Sequence, residues 1–136
     1  MDYARRQSAI QIQVEKLRLD ALLVTHLPNV RYLCGFTGSA GALSLGPGRQ
    51  VFFTDGRYSA QARAEVAGAR VVISNGSPLL AAAQFAQKSK LRRMGIEAAH
   101  MTVASRAALC RALGRQTRLR EVGPAVEELR IVKDAG

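Results

Sequence analysis

Residues 42–54, Ala42-Leu43-Ser44-Leu45-Gly46-Pro47-Gly48-Arg49-Gln50-Val51-Phe52-Phe53-Thr54, decide the architecture of this chain. Two short apolar runs, 42–45 and 51–54, flank a Gly-Pro-Gly-Arg segment. Glycine and proline in that order are typical of a turn between antiparallel strands. The stretch therefore predicts a β-hairpin.

The residues before the hairpin predict a buried strand and a short helix. The run from Ala21 to Val24 is continuously apolar, which is typical of a central strand covered on both faces of a sheet. Pro28 suits a first helical position, so a short helix is expected from Pro28 to Leu33, with Gly35 ending it.

The first segment, Asp2 to Leu19, predicts an amphipathic helix with Asp2 as its N-cap. Its apolar residues recur at helical spacing and define the face expected to be buried: Ile10, Val14 and Leu17.

After the hairpin, predicted helices and strands alternate. Ser77 is an expected N-cap, and Gly114 follows a helix in the usual terminating position. The helices are expected at 58–66, 78–87, 102–113 and from 124, and the strands at 70–73, 94–97 and 119–122. Alternation plus one hairpin predicts an α/β fold, a three-layer mixed β-sheet with helices on both faces.

Composition places the chain among globular domains. It has 136 residues, of which 48% are hydrophobic and 22% charged, which suits one domain with a real core. No apolar run approaches the ~18 to 20 residues that cross a bilayer, and the first residues lack an apolar leader segment. We therefore expect a cytoplasmic protein.

The net charge of +10 raises the possibility of a nucleic-acid partner. Most of the arginines are scattered along the chain, and the charge is locally dense in two stretches, 88–93 and 111–120. Scattered charge is typical of solvated surface, so nucleic-acid binding is the less favoured interpretation.

Four residues that could carry reactive or metal-binding chemistry show no motif around them. Cys34 and Cys110 form no CxxC pair, and we expect both to be buried thiols. His26 and His100 lack HExxH or paired carboxylate spacing, so a structural or solvent-exposed role is expected. The sequence thus predicts no metal site and no catalytic residue in this chain.

The glycine-rich segment 35–41 is better interpreted as a contact surface than as a nucleotide loop. It reads GxxGxxG and leads into a strand, which matches neither the dinucleotide fingerprint nor a Walker A loop, and GxSxG is absent. Its glycines permit close backbone approach with side chains displayed between them. In the second polar segment, 54–58, Asp55 is expected to cap a helix or to pair with Arg57.

The two segments together resemble a known family. Residues 28–41 (PNVRYLCGFTGSAG), 53–58 (FTDGRY) and the pair Gln61-Ala62 resemble the N-terminal domain of the Xaa-Pro peptidase and creatinase family, which includes aminopeptidase P, prolidase and creatinase. The likeness extends from the opening helix and residues 20–24 to residues 129–134. It implies a creatinase/prolidase N-terminal domain fold, ribonuclease H-like, over 1–130, with 131–136 starting the linker to a missing C-terminal catalytic domain.

The resemblance also implies a function. Members of the family are similar in having a pita-bread catalytic domain, in which two Asp, one His and two Glu hold two divalent metal ions (manganese, cobalt or zinc). This chain itself is expected to hold no metal ion. Its implied role is non-catalytic: contacts within a homodimer and control of access for short proline-containing peptides. The implied cleft or interface residues are Arg31, Tyr32, Phe36, Thr37, Ser39, Asp55, Arg57 and Tyr58.

Two alternatives from other classes stay open. A free-standing module of the same fold would use the glycine-rich segment to bind a small ligand or a protein. A basic nucleic-acid-binding domain would use the stretches 88–93 and 111–120.

Overall fold

The structure is a computed structural model that describes the backbone of residues 2–135 and the side chains of residues 2–131. The helices are α1 (Tyr3–Lys16), α2 (Leu27–Cys34), α3 (Ser59–Glu65), α4 (Pro78–Lys88), α5 (Val103–Leu113) and α6 (Ala125–Ala135). The strands are β1 (Ala21–Val24), β2 (Ala42–Gly46), β3 (Arg49–Asp55), β4 (Arg70–Ser74), β5 (Arg93–Glu97) and β6 (Arg118–Val122), and a 3-10 turn occupies Gly56–Tyr58.

The six strands form one mixed sheet in the order β4-β3-β2-β1-β5-β6. β2 runs antiparallel to both of its neighbours, while the β3–β4, β1–β5 and β5–β6 pairs are parallel. The predicted hairpin is confirmed as β2 and β3, and the predicted central strand as β1, which lies between β2 and β5. All four residues of β1 are buried, as expected for a strand without a polar face.

Helices cover both faces of the sheet, which confirms the three-layer α/β architecture. On one face, α1, α2 and α6 pack together over Leu22 and Val24 of β1. On the other face, α4 and α5 pack over Leu23, Phe53 and Met94. Neighbouring residues of β1 thus enter opposite cores, because side chains alternate along a strand.

The predicted helix ends are confirmed where a local hydrogen bond fixes them. The Asp2 carboxylate accepts from the Arg5 amide at 3.1 Å, and the Ser77 hydroxyl accepts from the Leu79 amide at 3.2 Å. Gly35 ends α2 with φ +89°, a left-handed conformation that favours glycine.

The expectation for Leu17 is wrong. Ile10 and Val14 are buried, but 51% of Leu17 is exposed. Leu17 is the C-cap of α1 and keeps the helical hydrogen bond to Gln13, so the helix itself does not turn it away. Leu19, 6% exposed, joins Ile10 and Val14 in the core instead.

The expectation of two buried thiols is half right. Cys34 is fully buried, and desolvation raises the pKa of its thiol to about 11. Cys110 is exposed, which corrects the expectation. The buried face of α5 carries Leu109 and Leu113. Cys110 is the next residue after Leu109, so the helical rotation turns its side chain away from that face.

α6 continues without a break across the expected boundary between residues 130 and 131. That boundary stays a prediction, and Gly136, at the end of the expected linker, lies outside the described residues. Within residues 2–135, no helix combines the length and the apolar character needed to cross a bilayer.

Candidate functional site

The two segments singled out in the sequence lie at one edge of the sheet. Five of the six strands run in the same direction, so their carboxyl ends share this edge with the start of the antiparallel β2. Segment 35–41 leads into β2, and segment 55–58 leaves β3. In open α/β sheets, this edge is where ligands and partners are commonly bound.

The segments contact each other. The Ser39 hydroxyl hydrogen-bonds the Tyr58 hydroxyl. The Phe36 ring meets the Tyr58 ring edge-on, with centroids 5.7 Å apart. The hydrogen bond to Ser39 lowers the pKa of the Tyr58 phenol below its usual value.

Phe36 does not lie on the exposed face, which corrects the expectation that it is displayed. It is 1% exposed and packs against Phe52 with ring centroids 4.6 Å apart. A Cβ added at Gly38 would lie 2.3 Å from the Phe36 ring, and one at Gly41 would lie 2.6 Å from the Phe52 ring. The glycines therefore let the loop close over Phe36 as a core residue.

Asp55 and Arg57 satisfy both of the roles expected for them. The Asp55 carboxylate accepts from the Arg57 amide at 3.0 Å, which caps the 3-10 turn. The guanidinium donates to both carboxylate oxygens, at 3.0 Å and 2.9 Å. This bidentate contact lowers the pKa of Asp55, while 70% of the Arg57 side chain stays exposed and available to a partner.

Thr37 is held by a residue that the sequence analysis missed. Glu65, at the end of α3, accepts from the Thr37 amide at 2.8 Å and from the Thr37 hydroxyl at 2.8 Å and 3.0 Å. Gln61 donates to Thr37 at 3.0 Å. The Thr37 amide and hydroxyl lower the pKa of Glu65, and exposed Arg31 is close enough to lower it further.

Tyr32 lies apart from this surface. Arg6 stacks over its ring, 4.0 Å from the centroid, and donates to the Tyr32 carbonyl at 2.8 Å. The Tyr32 hydroxyl is buried without a hydrogen-bond partner among the described side chains. The structure therefore groups Arg31, Thr37, Ser39 and the 55–58 turn, but places Tyr32 beside α1.

A cavity of about 300 Å³ opens next to Ser39 at the same edge. The N-caps of α4 and α5, Ser77 and Thr102, line it, together with Thr25, which follows β1. Its wall is therefore rich in hydroxyl groups, and His100 also lines it.

The two histidines contact each other, which the sequence did not predict; their expected structural or solvent-exposed role stays a prediction. The rings of His26 and His100 stack 3.6 Å apart with an angle of 6° between their planes. His100 Nε2 hydrogen-bonds Glu127 Oε2. Partial burial raises the pKa of Glu127, but its hydrogen bonds to His100 and Asn29 outweigh that effect, so the pKa lies below its usual value. No local spacing could show this contact, because residues 26, 100 and 127 lie on three separate elements.

A buried hydrogen-bond network lies beneath the histidines. Glu97 is 6% exposed and accepts from the amides of Thr25 and His26 at 2.8 Å and 2.9 Å. Asn29, fully buried, donates to Glu97 at 2.7 Å and to Glu127 at 3.0 Å. The network links β1, α2, β5 and α6 at the carboxyl edge.

Among the described side chains, one group brings three potential metal ligands together: His26, His100 and Glu127. This group has two histidines and one carboxylate, and so differs from the two Asp, two Glu and one His implied for the family's catalytic domain. The arrangement of segments 35–41 and 55–58 offers hydrogen-bonding and charged groups to a partner.

Comparisons with known proteins agree with this geometry. The sequence model of the creatinase/prolidase N-terminal domain family matches residues 6–132 of this chain. An uncharacterized peptidase YqhT of Bacillus subtilis is 33% identical over 131 residues, which cover 91% of this chain and 37% of that protein. The chain therefore spans little more than a third of this curated relative.

Solved structures show the same domain. The N-terminal domain of the cytoplasmic peptidase PepQ from Mycobacterium tuberculosis is 36% identical with a TM-score of 0.86, and the match covers 93% of this chain and 98% of that one. An Xaa-Pro dipeptidase from Bacillus anthracis is 25% identical with a TM-score of 0.87, covering 94% of this chain and 36% of that one. This chain belongs to the creatinase/prolidase N-terminal domain family.

Proposed function

We propose that this chain is the non-catalytic N-terminal domain of a metal-dependent Xaa-Pro aminopeptidase or dipeptidase. The observation that carries the proposal is the pattern of coverage: the chain matches 98% of an isolated peptidase N-terminal domain but 36% of a dipeptidase and 37% of a peptidase. Its partner is a C-terminal catalytic domain of the same polypeptide, which binds two divalent ions, manganese, cobalt or zinc. The full protein is cytoplasmic, like the mycobacterial relative by its description.

The surface formed by Thr37, Ser39 and the 55–58 turn contributes to contacts in a homodimer and shapes access to the peptide cleft. Arg57 is the best-placed residue for this role. Its guanidinium is already held in a fixed orientation by Asp55 and is largely exposed, so it can bind the carboxylate of a short proline-containing peptide with little loss of side-chain entropy.

The first experiment reads the coding sequence beyond codon 136 and assays two proteins, this chain alone and the chain with its C-terminal continuation. We expect hydrolysis of Xaa-Pro peptides with manganese in the longer protein and none in the chain alone. Hydrolysis by the 136-residue chain, or a continuation without clustered Asp, His and Glu, would overturn the proposal. DNA binding that falls steeply with salt would favour the basic-domain alternative instead.

The second experiment tests the surface in the longer protein. Arg57→Ala should raise KM for short peptides while the melting temperature changes little, because solvent screens an exposed ion pair and it contributes little to stability. Arg115→Ala is the matched control, since Arg115 is an exposed arginine in the turn between α5 and β6. Unchanged kinetics in both variants would remove Arg57 from the proposed surface.

A further inference from the structure

Three potential ligands converge from distant parts of the chain at the carboxyl edge. His26 is the N-cap of α2, His100 follows β5, and Glu127 lies in the first turn of α6. One ligand atom of each residue lies within 4.8 Å of the other two. All three side chains are partly exposed, so an ion in solution can reach them.

We propose that His26, His100 and Glu127 bind one divalent transition-metal ion, zinc in preference to manganese or magnesium. Two imidazoles and one carboxylate suit zinc, whereas manganese and magnesium favour sets made of oxygen ligands. Three protein ligands leave one coordination position open. This inference is independent of the peptidase role, because it concerns side chains of this chain alone.

The surrounding hydrogen bonds hold the ligands in place. Glu97 accepts from the backbone amide of His26 at 2.9 Å and fixes the start of α2. Asn29 donates to Glu127 Oε2 at 3.0 Å and to Glu97 at 2.7 Å. Outer hydrogen bonds of this kind orient metal ligands and raise metal affinity.

The contact between His100 and Glu127 shows where the ion belongs. His100 Nε2 and Glu127 Oε2 are in hydrogen-bond contact, and a cation would bind to the same two atoms in place of that hydrogen. The His26 ring stacks on the His100 ring, and one ring nitrogen of His26 lies within 4.8 Å of the ligand atoms of the other two residues. His100 also lines the 300 Å³ cavity, so a water or a small anion can approach this part of the site.

The test uses the 136-residue chain freed of metal with a chelator. Titration with Co²⁺ followed by visible absorption, and with Zn²⁺ by calorimetry, should each show one equivalent. Ligand-field bands of tetrahedral Co²⁺ should appear on binding and disappear when Zn²⁺ is added. Zn²⁺ should also raise the melting temperature, since it binds the folded state.

His100→Ala and His26→Ala should each weaken Zn²⁺ binding by about 100-fold or more, because loss of an outer partner alone costs about 10- to 100-fold. Glu127→Gln should weaken binding, whereas Glu128→Gln, at the next and exposed position of α6, should not. Cys110→Ser should leave the affinity unchanged and excludes the exposed thiol as a ligand. Far-UV circular dichroism establishes that each variant is folded.

Three results would overturn the proposal. They are the absence of a one-equivalent site in the unmodified chain, affinity that survives in the folded histidine variants, and affinity that is lost with Cys110→Ser. None of these results bears on whether the longer protein cleaves Xaa-Pro peptides.

Discussion

Removing the Asn29 side chain is expected to destabilise the fold through the polar network at the carboxyl edge. Asn29 is fully buried and joins three partners: Glu97 at 2.7 Å, Glu127 at 3.0 Å and Arg130, which donates to the Asn29 carbonyl oxygen at 2.9 Å. Asn29→Ala deletes all three hydrogen bonds. Each joins a neutral amide to a charged group, the stronger class of hydrogen bond.

The magnitude follows from how well each partner can be satisfied afterwards. Glu97 is buried but keeps two backbone donors after the substitution. It therefore loses one hydrogen bond to a charged group, which lowers the free energy of unfolding by about 2 kcal/mol. Glu127 and Arg130 are partly exposed, and water replaces Asn29 there at about 0.5 kcal/mol each. The sum is about 3 kcal/mol, which corresponds to a fall of about 10 °C in melting temperature for a domain of this size.

The assay is urea unfolding followed by circular dichroism, with melting temperature measured in parallel. Asn75→Ala is the matched control: Asn75 is exposed in the turn after β4, and its substitution should change stability by less than about 0.5 kcal/mol. A loss below about 1 kcal/mol in Asn29→Ala would refute the reasoning, because it would mean that water replaces the amide inside the network without cost.

Three further predictions concern single sites. Gly38→Ala should cost about 1 to 3 kcal/mol in urea unfolding, because its Cβ would lie 2.3 Å from the buried Phe36 ring; a neutral change would show that the loop is loose. A disulfide reagent at pH 8 should label one thiol quickly, Cys110, while Cys34, with its pKa raised to about 11, reacts after unfolding; two fast equivalents would contradict this. The lowered pKa of Glu127 stabilises the fold above the unfolded-state pKa of about 4.3, and this contribution is lost as pH falls through the folded-state pKa. Urea titrations from pH 7 to pH 3 should therefore show a smaller acid loss in Glu127→Gln, and equal losses would exclude the contribution.

Local features of the fold could be predicted because their causes are local. The turn at 46–49 and the apolar runs beside it specify the hairpin wherever the rest of the chain lies. Asp2 and Ser77 accept hydrogen bonds from amides two or three residues away, so capping is visible in the sequence. The four apolar residues of β1 have no polar face to offer solvent, and this pattern predicted that the strand lies inside the sheet.

The burial of individual side chains was less predictable. Phe36 was expected to lie at the surface because its neighbours are glycines and hydroxyl residues, but packing against Phe52 buries it. Leu17 was expected to be buried because it continues the helical spacing, but Leu19 joins the core beside Ile10 and Val14 in its place. In both cases the pattern gives the spacing of residues, whereas burial depends on which element lies opposite.

The sequence by itself determined the hairpin, the central strand, the alternation of helices and strands, and the two segments that identify the family. The tertiary structure alone decided which polar groups meet: Thr37 with Glu65, Asn29 with Glu97, and His26 and His100 with Glu127. The reason is physical. β1 and β5 are neighbours in the sheet although more than 70 residues separate their paired positions, so the side chains at their carboxyl ends come together through strand order and not through spacing along the chain.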